Sequence, residues 1–342
     1  MTKVYTMYNN KGGVSKTTTL FNLAVYLSQQ QKKVLIVDCD PQCNMTEIFF
    51  ASNSDFDQPE VELPGTSIFQ ALLPRFKGEA GTIHPDTVDL VPSPIYDNLF
   101  LFRGDLEFSL ADTYFGTAWN QAITENIHEK NTYVSLHRLF QSLGSRHNFD
   151  YILCDVGPST GAITRMVVLS CDGVFLPLVP DRFCNQAVRL LGRIVHEWVQ
   201  RHEQISESLA PFSITSFPGK PVFLGGILQN YKVQNNAKAK ESYVKWQTKI
   251  SNNIKEHLVS NEGMIPASGL DLENPYLASI RDMSPLAPVA QMFGRAIFDI
   301  EQEHTREAST TGRMYYGTVW DPWVDRMTQY REEISKVAGA IL

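Results

Sequence analysis

The stretch YNNKGGVSKTTTL, Tyr8 to Leu20, decides how this chain is read. It follows a short apolar run, KVYTMY (3–8), and opens a segment in which Leu20, Leu23, Ala24 and Leu27 recur at helical spacing. A loop between a strand and a helix start offers backbone N–H groups and the positive end of a helix dipole, the usual ingredients of a phosphate cradle. Against the pattern G-x-x-x-x-G-K-[ST], Lys16 and Thr17 are in place, but Asn10 and Ser15 stand where the two glycines belong. An additional lysine, Lys11, precedes the Gly12-Gly13 pair. In that chemistry Lys16 reaches the outer phosphates and the Thr17 hydroxyl ligates Mg2+.

Further apolar, β-branched runs are KVLIVD (33–38), TVDLVP (87–92), YILCDV (151–156), GVFLPLV (173–179) and PVFLGGIL (221–228). They are continuous, not alternating, as in strands covered on both faces, and helical stretches separate them. The expected class is α/β: a mostly parallel twisted sheet flanked by helices, with functional loops at the carboxyl ends of its strands. One domain is expected over 1–300, including an enlarged middle insertion (about 52–147), then a C-terminal helical extension (301–342). In that extension Trp323, Met327, Tyr330, Ile334, Val337 and Ile341 form a stripe suited to packing on the domain or on another subunit.

The 342 residues are 43% hydrophobic and 20% charged, enough to bury a core. No apolar run reaches the roughly 20 residues of a membrane span. Five cysteines without a C-x-x-C pair suggest neither a disulfide framework nor a zinc module and fit a reducing cytoplasm. A net charge of −7 argues against a chain that coats nucleic acid with its whole surface, leaving room for a local basic patch.

The segment KGGVSKTT (11–18) resembles the deviant Walker A motif K-G-G-[VT]-G-K-T-T of the ParA/MinD family of ATPases, in the wider class that includes the nitrogenase iron protein. In that family the first glycine of the ordinary loop is dispensable, which accounts for Asn10, while Ser15 departs from the pattern. The resemblance implies that ATP is bound by Lys11, Gly12, Gly13, Val14, Ser15, Lys16, Thr17 and Thr18, and Mg2+ by Thr17, Asp38, Asp40 and Asp155. It implies too that Lys11 reaches the partner's nucleotide in an ATP-bound homodimer, as an arginine finger would.

KVLIVDCDPQCN (33–44) resembles the family's first switch, with Asp40 orienting the attacking water and Asp38 supporting the Mg2+ shell. FDYILCDVGPSTG (149–161) resembles Walker B and the second switch, with Asp155 holding Mg2+ through water and Gly157-Pro158 starting the phosphate-sensing turn. More loosely, the similarity places Asn230, Pro266 and Ser268 beside the adenine.

The family implies a cytoplasmic, slow, partner-stimulated ATPase without a membrane anchor. Its ATP dimer binds DNA non-specifically, on the nucleoid, and a ParB-like protein stimulates hydrolysis. Since the first strand starts at Lys3, the helix-turn-helix module of long plasmid regulators is not expected. The candidate DNA face lies on a helix over about 236–258, where Lys238, Lys245 and Lys249 cluster opposite Ala239, Tyr243, Trp246, Ile250 and Ile254; such a face also serves solubility. Arg189, Arg193 and His196 form a second stripe, read as a solvated helix face. Two alternatives use the same motifs: an ATPase positioning a protein assembly in a mobile-element, defence or organelle-positioning system, and a ligase or iron–sulfur reductase, the last requiring cysteines such as Cys39, Cys43 or Cys154 at a dimer axis.

Overall fold

A computed structural model describes residues 2–53, 61–231, 237–259 and 263–342, with the side chains of 230, 231 and 237–240 outside the description. Its nine strands are β1 (Lys3–Met7), β2 (Val34–Asp38), β3 (Val91–Pro92), β4 (Leu99–Phe102), β5 (Tyr151–Asp155), β6 (Gly173–Leu178), β7 (Val222–Tyr231), β8 (Ile265–Pro266) and β9 (Tyr276–Arg281). They form one sheet in the order β3-β4-β2-β5-β1-β6-β7-β8, and β9 pairs with β7 beyond β8. Every pairing is parallel except β3 with β4. The central strands β1, β2, β5 and β6 are buried almost throughout, as continuous apolar runs require in a sheet covered on both sides.

Two apolar layers cover it. On one face the helices Ile68–Phe76, Ala111–Gln121, Ile127–His147, Ala162–Ser170 and Arg182–Leu209 meet Val4, Leu35, Ile152 and Val174. On the other, the helices Lys16–Gln29, Asn44–Phe50 and Asp321–Gly339 meet Tyr5, Ile36, Leu153 and Phe175. The last helix buries Met327, Tyr330, Ile334 and Val337. Arg331 Nη1 donates to Gln29 Oε1 at 2.7 Å and the Ser279 N–H to Glu333 Oε2 at 2.7 Å, tying that helix to the phosphate-loop helix and to β9.

The expected run 87–92 yields only the short antiparallel strand β3. β2 is flanked in parallel by β5 and by β4, the latter being the sequence LFLF inside the middle region, in register from Val34 with Leu99 to Val37 with Phe102. The middle region thus supplies a strand of the main sheet. The expected helix at 236–258 is an α-helix over Ala237–Asn253 that widens into a π turn at Ile254–Leu258. Ile250 and Ile254 face the core, while Lys245 and Lys249 are exposed.

Candidate functional site

At the carboxyl end of β1 the chain turns through Tyr8–Ser15 into the helix Lys16–Gln29. The loop is braced from inside. Asn9, buried, donates from Nδ2 to the Pro177 carbonyl at 2.8 Å and accepts the Lys11 N–H at 2.9 Å. Tyr8 Oη donates to the Ser159 carbonyl at 2.9 Å, joining the loop to the segment after β5. Gly13 takes a left-handed conformation at φ +71°. So does Ser15, at φ 55° and ψ 32°, where it stands just before the helix without capping it through its side chain. The serine therefore adopts the backbone shape that favours glycine and carries the steric cost of its Cβ.

Lys16 is buried, its Nζ donating to the carbonyls of Asn9 at 3.2 Å and Lys11 at 3.4 Å. Burial lowers its pKa, opposed by the charges of Asp155 and Asp40. Lys11 faces the other way, with Nζ 2.6 Å from Asp181 Oδ2 and 6.0 Å from the centroid of the exposed Phe183 ring. Asp181 also caps the helix Arg182–Leu209, accepting the Cys184 N–H on Oδ1 at 2.7 Å.

Asp38 and Asp155 are register partners at the ends of adjacent strands, and both are buried. Their surroundings differ. Asp38 Oδ2 accepts the Thr46 N–H at 2.9 Å and the Thr46 hydroxyl at 2.6 Å, and Oδ1 accepts the Asp40 N–H at 3.2 Å. Burial still pushes its carboxyl up to about 6. Neither buried oxygen of Asp155 meets a partner at full hydrogen-bond geometry among the described residues, the Thr17 hydroxyl being the polar group beside it. Burial, then the neighbouring Asp38 charge, raises its pKa well above the carboxylate range, with Thr17 and Lys16 pulling the other way. A buried carboxylate with both oxygens uncommitted is costly unless something cationic completes it.

The three motifs meet. A Cβ added to Gly157 would sit 3.0 Å from Asp40 Oδ1, and one added to Gly12 would sit 3.9 Å from Pro158. Asp40 is buried, its Oδ1 accepting the Gln42 N–H at 3.0 Å. Gln229, near the end of β7, donates to Thr19 Oγ1 at 2.9 Å, and Gln291 reaches Thr18 Oγ1 at 3.2 Å.

These contacts bring Lys11, Gly12, Lys16, Thr17, Asp38, Asp40 and Asp155 into one site. Gly13, Val14, Ser15 and Thr18 complete its loop. Pro266 and Ser268 stand apart from the end of β7 that carries Asn230. Pro266 pairs with Phe223 near the start of β7, whereas Arg281 of β9 pairs with Tyr231 at its end. The side chain of Asn230 lies outside the described residues, as does that of Lys238. Sequence reasoning missed Asn9, Thr46, Gly104 and Asp181. Only Asp181 had a local signal, a helix N-cap just after β6.

A family model described as an AAA domain (AAA_31) matches residues 2–209, more than half the chain. The chain belongs to the ParA/MinD family of P-loop ATPases. Its relatives include the chromosome-partitioning ATPase Soj of Treponema pallidum (strain Nichols), 29% identical over 57% of this chain and 64% of that protein. The sporulation initiation inhibitor protein Soj of Bacillus subtilis (strain 168) is 26% identical over 59% of this chain and 68% of that protein. The chain thus spans about two thirds of the length of these two relatives. Among solved structures, the ATP complex of McdA from Cyanothece superposes with TM-score 0.57 and 19% identity, covering 99% of this chain and 96% of that one. That likeness is one of fold.

Proposed function

We propose that the chain binds and hydrolyses Mg-ATP, and that ATP draws two copies face to face into a dimer that binds DNA non-specifically and is released when a ParB-like partner stimulates hydrolysis. The observation that carries the reading is the division of labour between two lysines on one loop. Lys16 is buried at the helix start beside Asp155 and Asp40. Lys11 is instead paired with Asp181 at 2.6 Å and its side chain is partly exposed.

The uncommitted oxygens of Asp155 and the Thr17 hydroxyl fit Mg2+, with Asp40 and Asp38 around them; Mg2+ when bound neutralises phosphate charge. The loop amides at Gly12 to Thr18 orient the phosphates at the helix start. Lys16 offsets charge on the outer phosphates, and Asp40, held over Gly157, orients water. Exposed Lys245 and Lys249 supply a local cationic face on a chain of net charge −7. With a few phosphate contacts per subunit, that face supports weak, salt-sensitive binding.

The test is ATP turnover and dimer formation measured with and without DNA at two salt concentrations. Turnover that rises with protein concentration supports the shared site, and salt-sensitive retention on DNA supports the DNA cargo. An ATP dimer that ignores DNA would point to a protein assembly as cargo. A chain that stays monomeric with ATP sinks the reading.

A further inference from the structure

Asp38 and Asp155 end neighbouring strands, yet Asp38 accepts hydrogen bonds on both oxygens while neither oxygen of Asp155 has a partner at full hydrogen-bond geometry among the described residues. Asp38 accepts three hydrogen bonds, two of them from the N–H and hydroxyl of Thr46. Thr46 sits in the first turn of the helix Asn44–Phe50, so its bonds to Asp38 close the loop 39–43 that carries Asp40. The Thr46 hydroxyl has a single proton, given to Asp38 at 2.6 Å, and its oxygen accepts the Gly104 N–H at 2.8 Å. Gly104 follows β4, whose four-residue parallel register with β2 sets its height beside Asp38. No side chain fits there. A Cβ on Gly104 would lie 2.9 Å from Asp38 Oδ2 and 3.0 Å from Cys43 Sγ.

We propose that Thr46, anchored by the backbone of Gly104, is a positioning residue: through Asp38 it fixes the loop that holds the Asp40 carboxylate over Gly157. This rests on the ATPase reading above and assigns the middle region a place in the site, since its strand β4 carries the anchor. Each link is a hydrogen bond between buried groups, where losing one partner leaves the other uncompensated.

Thr46→Val keeps the N–H bond to Asp38 and removes the hydroxyl, leaving the Gly104 N–H without an acceptor. It is expected to lower ATP turnover by about tenfold while ATP affinity stays within about twofold, a transition-state effect without a binding effect. Thr46→Ser restores the hydroxyl and is expected to return turnover to within about twofold of the original chain. Without nucleotide, hydrogen exchange at the amides of 39–46 and 104 should quicken in Thr46→Val and not in Thr46→Ser. Wild-type turnover in Thr46→Val, a serine variant as slow as the valine one, or unchanged exchange across 39–46 would each overturn the proposal. An unmutated chain that turns over no ATP defeats the ATPase reading instead, and the exchange comparison still decides whether Thr46 holds the loop.

Discussion

Lys11 and Asp181 form an ion pair at 2.6 Å within one chain, across the mouth of the phosphate loop. If Lys11 serves a partner's nucleotide, this pair must open when the dimer forms. Partly exposed pairs contribute about 0.5–1 kcal/mol. Asp181→Asn keeps an N-cap acceptor for the helix Arg182–Leu209 and removes the charge. Because both subunits' pairs open in the dimer, ATP-dependent dimerisation should then reach its midpoint at roughly five- to thirtyfold lower protein concentration. Light scattering over a concentration series checks this. An unchanged midpoint would mean the pair does not restrain Lys11.

Ser15 offers a test of backbone strain. Its left-handed φ of 55° costs an L-residue about 1–2 kcal/mol relative to glycine. Glycine's looser unfolded chain returns part of that. Ser15→Gly is expected to stabilise the fold by about 0.5–1 kcal/mol net, read from denaturant midpoints at unchanged slope. Equal or lower stability would mean that the serine hydroxyl contributes something the glycine lacks.

His202 is a buried histidine held by Tyr133 Oη at 2.6 Å and by the Phe217 carbonyl at 2.9 Å. Burial lowers its pKa from 6.5 to about 4. The folded state therefore binds this proton less readily than the unfolded chain does. The stability His202 confers is complete above about pH 6.5 and is lost as pH falls towards 4, by on the order of 3 kcal/mol if that loss is fully expressed. The stability difference between the unmutated chain and His202→Gln should shrink across that window in pH-dependent unfolding. A pH-independent difference would contradict it.

Lys245 and Lys249 lie exposed on the helix Ala237–Asn253. If they meet phosphate, replacing either with alanine removes one contact per subunit and should flatten the salt dependence of the dimer's DNA binding by roughly two units of slope, whatever the DNA sequence. Binding that weakens without a change in slope would assign them a structural role.

The grouping of the candidate site was largely legible because it is carried by short stretches, each at the end of a buried strand: Lys11 to Thr18, Asp38 to Asp40, and Asp155 to Pro158. Pairings between distant residues left no such trace. Gly104 and Thr46 are 58 positions apart, and only the placement of β4 beside β2 joins them. The sequence LFLF is four residues long inside an aromatic-rich stretch, so periodicity could not separate strand from helix there. At the other edge of the sheet, β9 pairs with the carboxyl half of β7, whereas Pro266 pairs near its start. Neither β8 nor β9 stands out as an apolar run, and local sequence carries no register.

The most direct measurement is the mass of the Asp40→Ala variant in solution with Mg-ATP, by size-exclusion chromatography with light scattering, beside the Asp40→Ala/Lys11→Ala double variant. The account predicts a stable dimer for Asp40→Ala, because ATP bridges the subunits and is not hydrolysed, and a much weakened dimer once Lys11 is removed, although ATP still binds. An Asp40→Ala chain that binds ATP and remains a monomer, or a dimer indifferent to Lys11, would contradict the shared nucleotide site.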